Sequence, residues 1–321
     1  MSAIRVTVEN FIRAESNRMF AGLLADTGGV GRWKHYRVPA DLSKQVVIRL
    51  NRDTLYSVAV VDVSAGAVLS VPDAGDRYLS VALITQDHYI PRVIHAPGTY
   101  RLSAEELGTD FVAIAVRILV DPTDPADVEA VNRLQDELSV NAAASRPFIL
   151  PDYEPASLDA TRNALLELSR GLEGFSGAFG AATEVEPIRH LLGAASGWGG
   201  LPETEAYYQN VDLGLPEGEY ELRIADVPVD AFWSVSLYNA EGFFVPTEHG
   251  LNTVNSITAE RNADGSATVN FGTGDFSRPN YLSIMPGWNF LVRYYRPRPE
   301  VLDHSWALPP VTALQTEGEK R

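Results

Sequence analysis

The chain has 321 residues, 45% of them hydrophobic and 21% charged, the composition of a globular protein long enough for two domains with their own cores. Its formal net charge is −16, and no basic run exceeds the three cations of Arg293–Arg298, too little to hold a nucleic-acid backbone or an anionic membrane surface. There is no cysteine, which excludes disulfides, thiolate nucleophiles, zinc–thiolate sites and iron–sulfur clusters.

Near the start, Arg5, Glu9, Arg13, Glu15 and Arg18 interrupt any apolar run, and no later stretch approaches 18 uninterrupted apolar residues. A soluble, cytoplasmic protein is the expectation. Val8, Phe11, Ile12, Met19 and Leu23 share one face of a helix over about Thr7–Ala25, which Gly28-Gly29 ends. Gly31–Tyr36 follows as an aromatic, basic connector. Strands are then predicted at Gln45–Leu50, Leu55–Val63, Ala67–Val71, Tyr78–Thr85 and Phe111–Val120, separated by Gly/Pro/Asp turns. Short strands in such a series point to an antiparallel sandwich or barrel.

The period changes in the middle. Asp124 with Pro125 opens a helix carrying Val128, Val131, Leu134 and Leu138, and Pro147 and Pro151 break it. Ser157 caps a second helix with Leu165, Leu168 and Leu172, which runs into the glycine-rich stretch Gly171–Gly180. Pro187 starts a third helix with Ile188, Leu191 and Leu192, and Gly193–Gly200 reads as a loop. The last third is β again, with strands at Glu219–Ala225, Phe232–Tyr238, Ile257–Arg261, Thr268–Phe271 and Trp288–Tyr295, and a hairpin turn at Asn262–Gly265. A polar, disordered tail is expected over Gln315–Arg321. The fold class is mainly β with a helical insert: two antiparallel β-sandwich, jelly-roll-like domains over residues 1–122 and 204–321, joined by helices in 123–203.

Two groups of motifs carry a resemblance. Val46–Tyr56 (Val-Val-Ile-Arg-Leu-Asn-Arg-Asp-Thr-Leu-Tyr), Val68–Pro72 and Arg77-Tyr78 resemble the bacterial domain of unknown function numbered 1254. Asp230–Tyr238 (Asp-Ala-Phe-Trp-Ser-Val-Ser-Leu-Tyr), Asn262–Gly265 and Arg293–Pro297 resemble its usual partner domain, numbered 1214. The resemblance covers about Val46 to Pro309. It implies two β-sandwich-like domains with a helical connection and a homo-oligomer, and it supplies neither an activity nor catalytic residues.

Three clusters hold groups able to do chemistry. In Asn51-Arg52-Asp53-Thr54-Leu55-Tyr56, Arg52 can clamp a carboxylate or phosphate with Tyr56 donating a hydrogen bond; equally, Arg52 can pair with a carboxylate while Asp53 caps a turn. At the end of an apolar strand, Gln86-Asp87-His88-Tyr89 offers His88 as a general base, although on a regular strand Asp87 would point away from it. The third cluster is one face of Phe232–Tyr238, namely Phe232, Ser234, Ser236 and Tyr238, together with Arg293 and Tyr295. It can line a ligand groove or a subunit interface, or simply pack in a core.

The histidines lack metal-ligand spacing, Thr247-Glu248-His249 being only a neighbouring pair. Gly193–Gly197 is a poor nucleophile elbow, and no phosphate or dinucleotide loop is present. The expectation is a protein without organic cofactor or metal, binding a small molecule or doing acid–base chemistry at a site between the two β-domains. Arg52, Asp53 and His88 would be the catalytic groups, and Asn51, Tyr56, Asp87, Phe232, Tyr238 and Arg293 the ligand contacts. The alternative is a non-catalytic binding or structural module.

Overall fold

A computed structural model of the protein describes residues 3–45, 48–170, 172, 174–247, 251–274 and 276–314. Val46 and Val47, the Glu248-His249 pair, Gly171 and the tail Gln315–Arg321 lie outside the described residues. The chain forms two compact units. The first comprises residues 1–38, 54–120 and 125–203; the second comprises 39–53, 121–124 and 204–321. Among the described residues the chain as a whole is mainly β, with most of its helix in the first unit, and the sheets are antiparallel apart from one short parallel pair.

In the first unit the order is α1 (Phe11–Thr27), β1 (Trp33–His35), β2 (Thr54–Asp62), β3 (Ala67–Val71), β4 (Leu79–Thr85), β5 (Arg92–Ile94) and β6 (Gly98–Leu102). It continues with α2 (Ala104–Leu107), β7 (Phe111–Leu119), α3 (Pro125–Glu137), β8 (Ser139–Ala142), α4 (Pro155–Ser169) and α5 (Pro187–Ser196). A five-stranded sheet, β1-β2-β7-β4-β5, and a three-stranded sheet, β6-β3-β8, enclose one core. Ala59, Val61, Val81, Leu83, Ile114 and Val116 from the larger sheet meet Leu69, Val71 and Leu102 from the smaller. Every residue of β4 is buried, in keeping with a run that is apolar apart from Ser80 and Thr85: a strand covered on both faces has no solvent-facing polar side to show.

Helices α1, α4 and α5 pack together through Phe11, Ala14, Leu158, Leu165 and Leu192. Gly28 ends α1 in the left-handed conformation, with φ 78° and its N–H bonded to the Leu24 carbonyl, as the glycine pair predicted. Ser157 does not cap α4; that position belongs to Glu154, and the Ser157 hydroxyl accepts the Val6 N–H instead.

In the second unit β9 (Ala206–Val211), β10 (Tyr220–Ile224), β11 (Trp233–Tyr238), β12 (Thr253–Asn255), β13 (Ala267–Gly272), β14 (Tyr281–Ser283), β15 (Asn289–Tyr295) and β16 (Thr312–Ala313) form two four-stranded sheets, with α6 (Pro299–Leu302) before β16. Their orders are β14-β13-β10-β16 and β12-β11-β15-β9. Trp233, Val235 and Leu237 of β11 pack with Leu222, Ile224, Val269 and Phe271 of the opposite sheet. This face of β11 is thus part of the sandwich core.

Three local expectations fail. Gln45–Leu50 is not a strand in its described residues: a short 3-10 turn at Leu42–Lys44 is followed by a turn at Ile48-Arg49, with Arg49 at φ 56°. Ile257–Arg261 is likewise a turn. The pairing strand lies just before it, at β12, where Asn255 accepts from the N–H groups of Ile257 and Thr258 and stops the strand. Gly193–Ser196 is not loop but the last turn of α5, with Gly193 fitted against Ala178 and Phe179.

The glycines following α5 are required. Gly199 sits at φ 77°, and a Cβ on Gly200 would lie 2.3 Å from the Phe179 ring. Replacing Gly200 by alanine is expected to cost about 1–3 kcal/mol, because a buried ring stacked on Phe175 must move. Thermal melting checks this, and an unchanged melting temperature would mean that Phe179 swings aside freely.

Candidate functional site

The second face of β11 lies within the second unit. Antiparallel register sets the side chains of Ser234 and Ser236 beside Asn255 and Thr253 of β12, and beside Arg293 and Leu291 of β15. Ser234, Ser236, Thr253, Asn255 and Arg293 are all buried, and so is Asp53, which is 0% exposed. A sheet face this polar keeps its stability only if its groups bond to one another.

Most of them do, in one fixed direction. The Arg293 guanidinium can only donate, so its Nη1 gives a proton to Ser236 Oγ at 2.8 Å. Ser236 in turn donates to Thr253 Oγ1 at 3.2 Å, because Thr253 spends its own proton on Asp53 Oδ1 at 2.9 Å. A buried cation and a buried anion are therefore joined through two hydroxyls. Nη2 of Arg293 donates to the carbonyls of Arg49 and Leu50 and to the Tyr238 hydroxyl, itself bonded to the Leu50 carbonyl at 2.7 Å. Burial opposes the charge of Arg293, but Tyr238, Tyr295 and Asp53 outweigh it and hold the guanidinium above its ordinary range. Burial also raises Tyr238, which stays a neutral phenol.

The chain of hydrogen bonds leaves an open end. Asp53 Oδ2 is buried and has no partner, and the same holds for Ser234 Oγ, Asn255 Nδ2 and Arg52 Nε. The Asn255 amide cannot be turned round to hide this, because its Oδ1 already accepts from Ile257 N, Thr258 N and Thr258 Oγ1. Thr253 and Asn255 also wall a pocket of about 100 Å³, completed by Asp121, Thr123, Thr258 and Asn280. That volume takes several waters or one molecule of a few heavy atoms. One carboxylate oxygen, one hydroxyl and two N–H donors thus await partners.

The remaining sequence candidates divide between the units. Asn51 bonds the Tyr295 hydroxyl at 2.8 Å, and its Oδ1 accepts from Asp53 N, so Asn51 and not Asp53 closes the turn. Arg52 donates to Asn252 Oδ1 at 3.3 Å; burial lowers its pKa and Asp53 works in the other direction. Phe232 stacks on Tyr295 with ring centres 4.1 Å apart. These residues, with Tyr238 and Arg293, belong to the second unit, whereas Tyr56, Asp87 and His88 belong to the first. There Tyr56 lies under the Arg117 guanidinium, 5.4 Å from its ring centre.

His88 and Asp87 sit in a turn, so strand alternation does not apply to them, and His88 has φ 63°. The Asp87 carboxylate pairs with Arg13, at 2.6 Å from Nε, and does not orient the imidazole. His88 is fully buried and stacks between Trp198 and His190. Its Nε2 accepts the Gly199 N–H at 2.9 Å, while Arg117 Nη2 donates to the Gly199 carbonyl at 2.9 Å. Burial, with help from His190, pushes the His88 imidazole down to about 3. A general base needs an accessible lone pair near its working pH, and His88 has spent its lone pair on the backbone. Its place in this unit is to clamp the Gly199 peptide.

Sequence reasoning missed Thr253, Asn255 and Asn252. The Thr-Val-Asn of β12 does alternate polar and apolar residues, but three residues are too short a run to stand out. Among the described residues, no group of three or more His, Asp or Glu side chains is arranged to hold a metal ion, and no helix is long and apolar enough to cross a membrane.

Comparisons with known proteins give families and a fold. Residues 30–142 match the family described as protein of unknown function DUF1254, and residues 212–299 match protein of unknown function DUF1214. No curated protein matches the chain. A crystal structure of a Vibrio parahaemolyticus protein superposes with a TM-score of 0.74 at 15% identity, covering 96% of this chain and 98% of that one. A putative uncharacterized protein from Burkholderia cenocepacia gives 0.50 at 16% identity, covering 94% and 85%. At these identities the likeness speaks for the fold alone, and the two matched segments follow one another along the chain, the one similar to DUF1254 first and the one similar to DUF1214 second.

Proposed function

We propose that the protein binds a small polar molecule on the polar face of β11 and β12, with Asp53 Oδ2 accepting a hydrogen bond from it. The observation carrying this reading is the directed chain Arg293–Ser236–Thr253–Asp53, which fixes a buried carboxylate and leaves its outer oxygen, and the neighbouring Asn255 and Ser234, without partners. Leaving such groups unmet costs about 1–3 kcal/mol each, and a ligand that meets them recovers that energy.

A thermal-shift screen of small polyols, hydroxy acids and amides tests the reading. At least one compound near 100 times its Kd should raise the melting temperature by roughly 5 °C. The shift should vanish in Asp53→Asn, which keeps the shape and loses the carboxylate. If no compound shifts the wild type, and crystals show only ordered waters at Asp53, the face is a water-filled structural network and the proposal falls.

A further inference from the structure

Resting on that binding site, the residues beside the open Asp53 oxygen narrow the ligand to one chemical class. Arg52 immediately precedes Asp53 in the chain and is half-buried. Its guanidinium makes one long hydrogen bond, to Asn252, and its buried Nε makes none. It is close enough to Asp53 for the carboxylate to act on its charge, yet the two are not joined by an ion pair. A cation and an anion, neighbours in the chain, thus each keep a buried atom without a hydrogen-bond partner. The unused groups are donors on Arg52 and Asn255, an acceptor on Asp53, and a hydroxyl of either sense on Ser234.

We infer that the ligand is a small carboxylate bearing a hydrogen-bond donor on the adjacent carbon, that is, a short 2-hydroxy acid or 2-amino acid. Its carboxylate meets the Arg52 guanidinium, and its hydroxyl or ammonium donates to Asp53 Oδ2. A planar guanidinium suits a carboxylate, and charge-assisted bonds at both ends are the stronger kind. A simple carboxylic acid leaves Asp53 unmet, and a neutral diol leaves Arg52 unmet. Asn255, whose amide is one of the unused donors, also walls the pocket of about 100 Å³, and a ligand entering there is limited to the short members of the class.

Calorimetric titration of the full chain with glycolate, glycine, propionate and ethylene glycol tests this. Glycolate or glycine, whichever carries the right donor, should bind at least tenfold tighter than propionate and ethylene glycol. Arg52→Gln should remove that advantage over ethylene glycol, and Asp53→Asn the advantage over propionate. Far-ultraviolet circular dichroism and melting of both variants separate lost binding from lost fold. Equal binding of ethylene glycol and glycolate would overturn the carboxylate class while leaving the polar site standing. No binding of glycolate or glycine to the wild type would overturn the class outright. An unchanged glycolate affinity in both folded variants would place binding elsewhere and overturn the site as well.

Discussion

Arg293→Met is expected to lower stability by about 3–5 kcal/mol, the largest single-residue effect in the second unit. The side chain is 2% exposed, and its two terminal nitrogens serve Ser236, the Tyr238 hydroxyl and the carbonyls of Arg49 and Leu50. Methionine fills much of the same volume but satisfies none of these acceptors, and it strips Asp53 of its buried counter-charge. Each orphaned group costs about 1–3 kcal/mol, and an uncompensated buried carboxylate costs more. Arg293→Lys should recover part of the loss, since an ammonium keeps the charge but cannot reach both sides as a planar fork does. Urea denaturation followed through the second unit's tryptophans, Trp233, Trp288 and Trp306, measures it. A loss below about 1 kcal/mol for the methionine variant would show that residues 49–50 peel away and rehydrate cheaply.

The second large effect is a pH dependence carried by His88. Its folded pKa is about 3 against 6.5 for the free side chain, lowered by burial and then by His190. Between those values the unfolded chain binds the proton and the folded one does not, so this group's contribution is complete above pH 6.5 and drains away as pH falls toward 3. Over pH 7 to 4 the loss is on the order of 3 kcal/mol. Protonation would take the Nε2 lone pair from the Gly199 N–H and place a charge between Trp198 and His190. His88→Asn removes the titration while offering an oxygen to Gly199, and asparagine tolerates the left-handed backbone at φ 63°. The variant should be less stable than the wild type at pH 7, but with a visibly shallower fall toward pH 4. Parallel stability profiles for the two proteins would mean that His88 is protonated in the fold, contrary to its surroundings.

The β-rich class, the helix ends at Gly28 and Pro187, and the core face of β11 follow from local chemistry in the chain. Period-two apolar runs, glycine at left-handed caps and proline in first helical turns act over a few residues, so neighbours in sequence are enough to read them. The Phe232–Tyr238 face was also legible as aromatic at its ends and hydroxylic between, and Arg52 and Asp53 stood out as polar groups ahead of an apolar strand. What those groups do was not legible. Asp53 could be read as a proton-moving group or as a turn cap, and neither reading names its bonding partner, Thr253, 200 residues away. The first strand expected, Gln45–Leu50, carries β-branched residues, but Arg49 there turns with φ 56° and hands its carbonyl to Arg293. His88 titrates near neutral pH as a free side chain, and only complete burial against Trp198 and His190 makes it an inert acceptor. Residue chemistry along the chain settles which positions are polar, charged or core-forming. Which buried charge faces which, and which polar atom is left without a partner, was decided only in the folded chain, where strands far apart in sequence share one face and water is excluded from it.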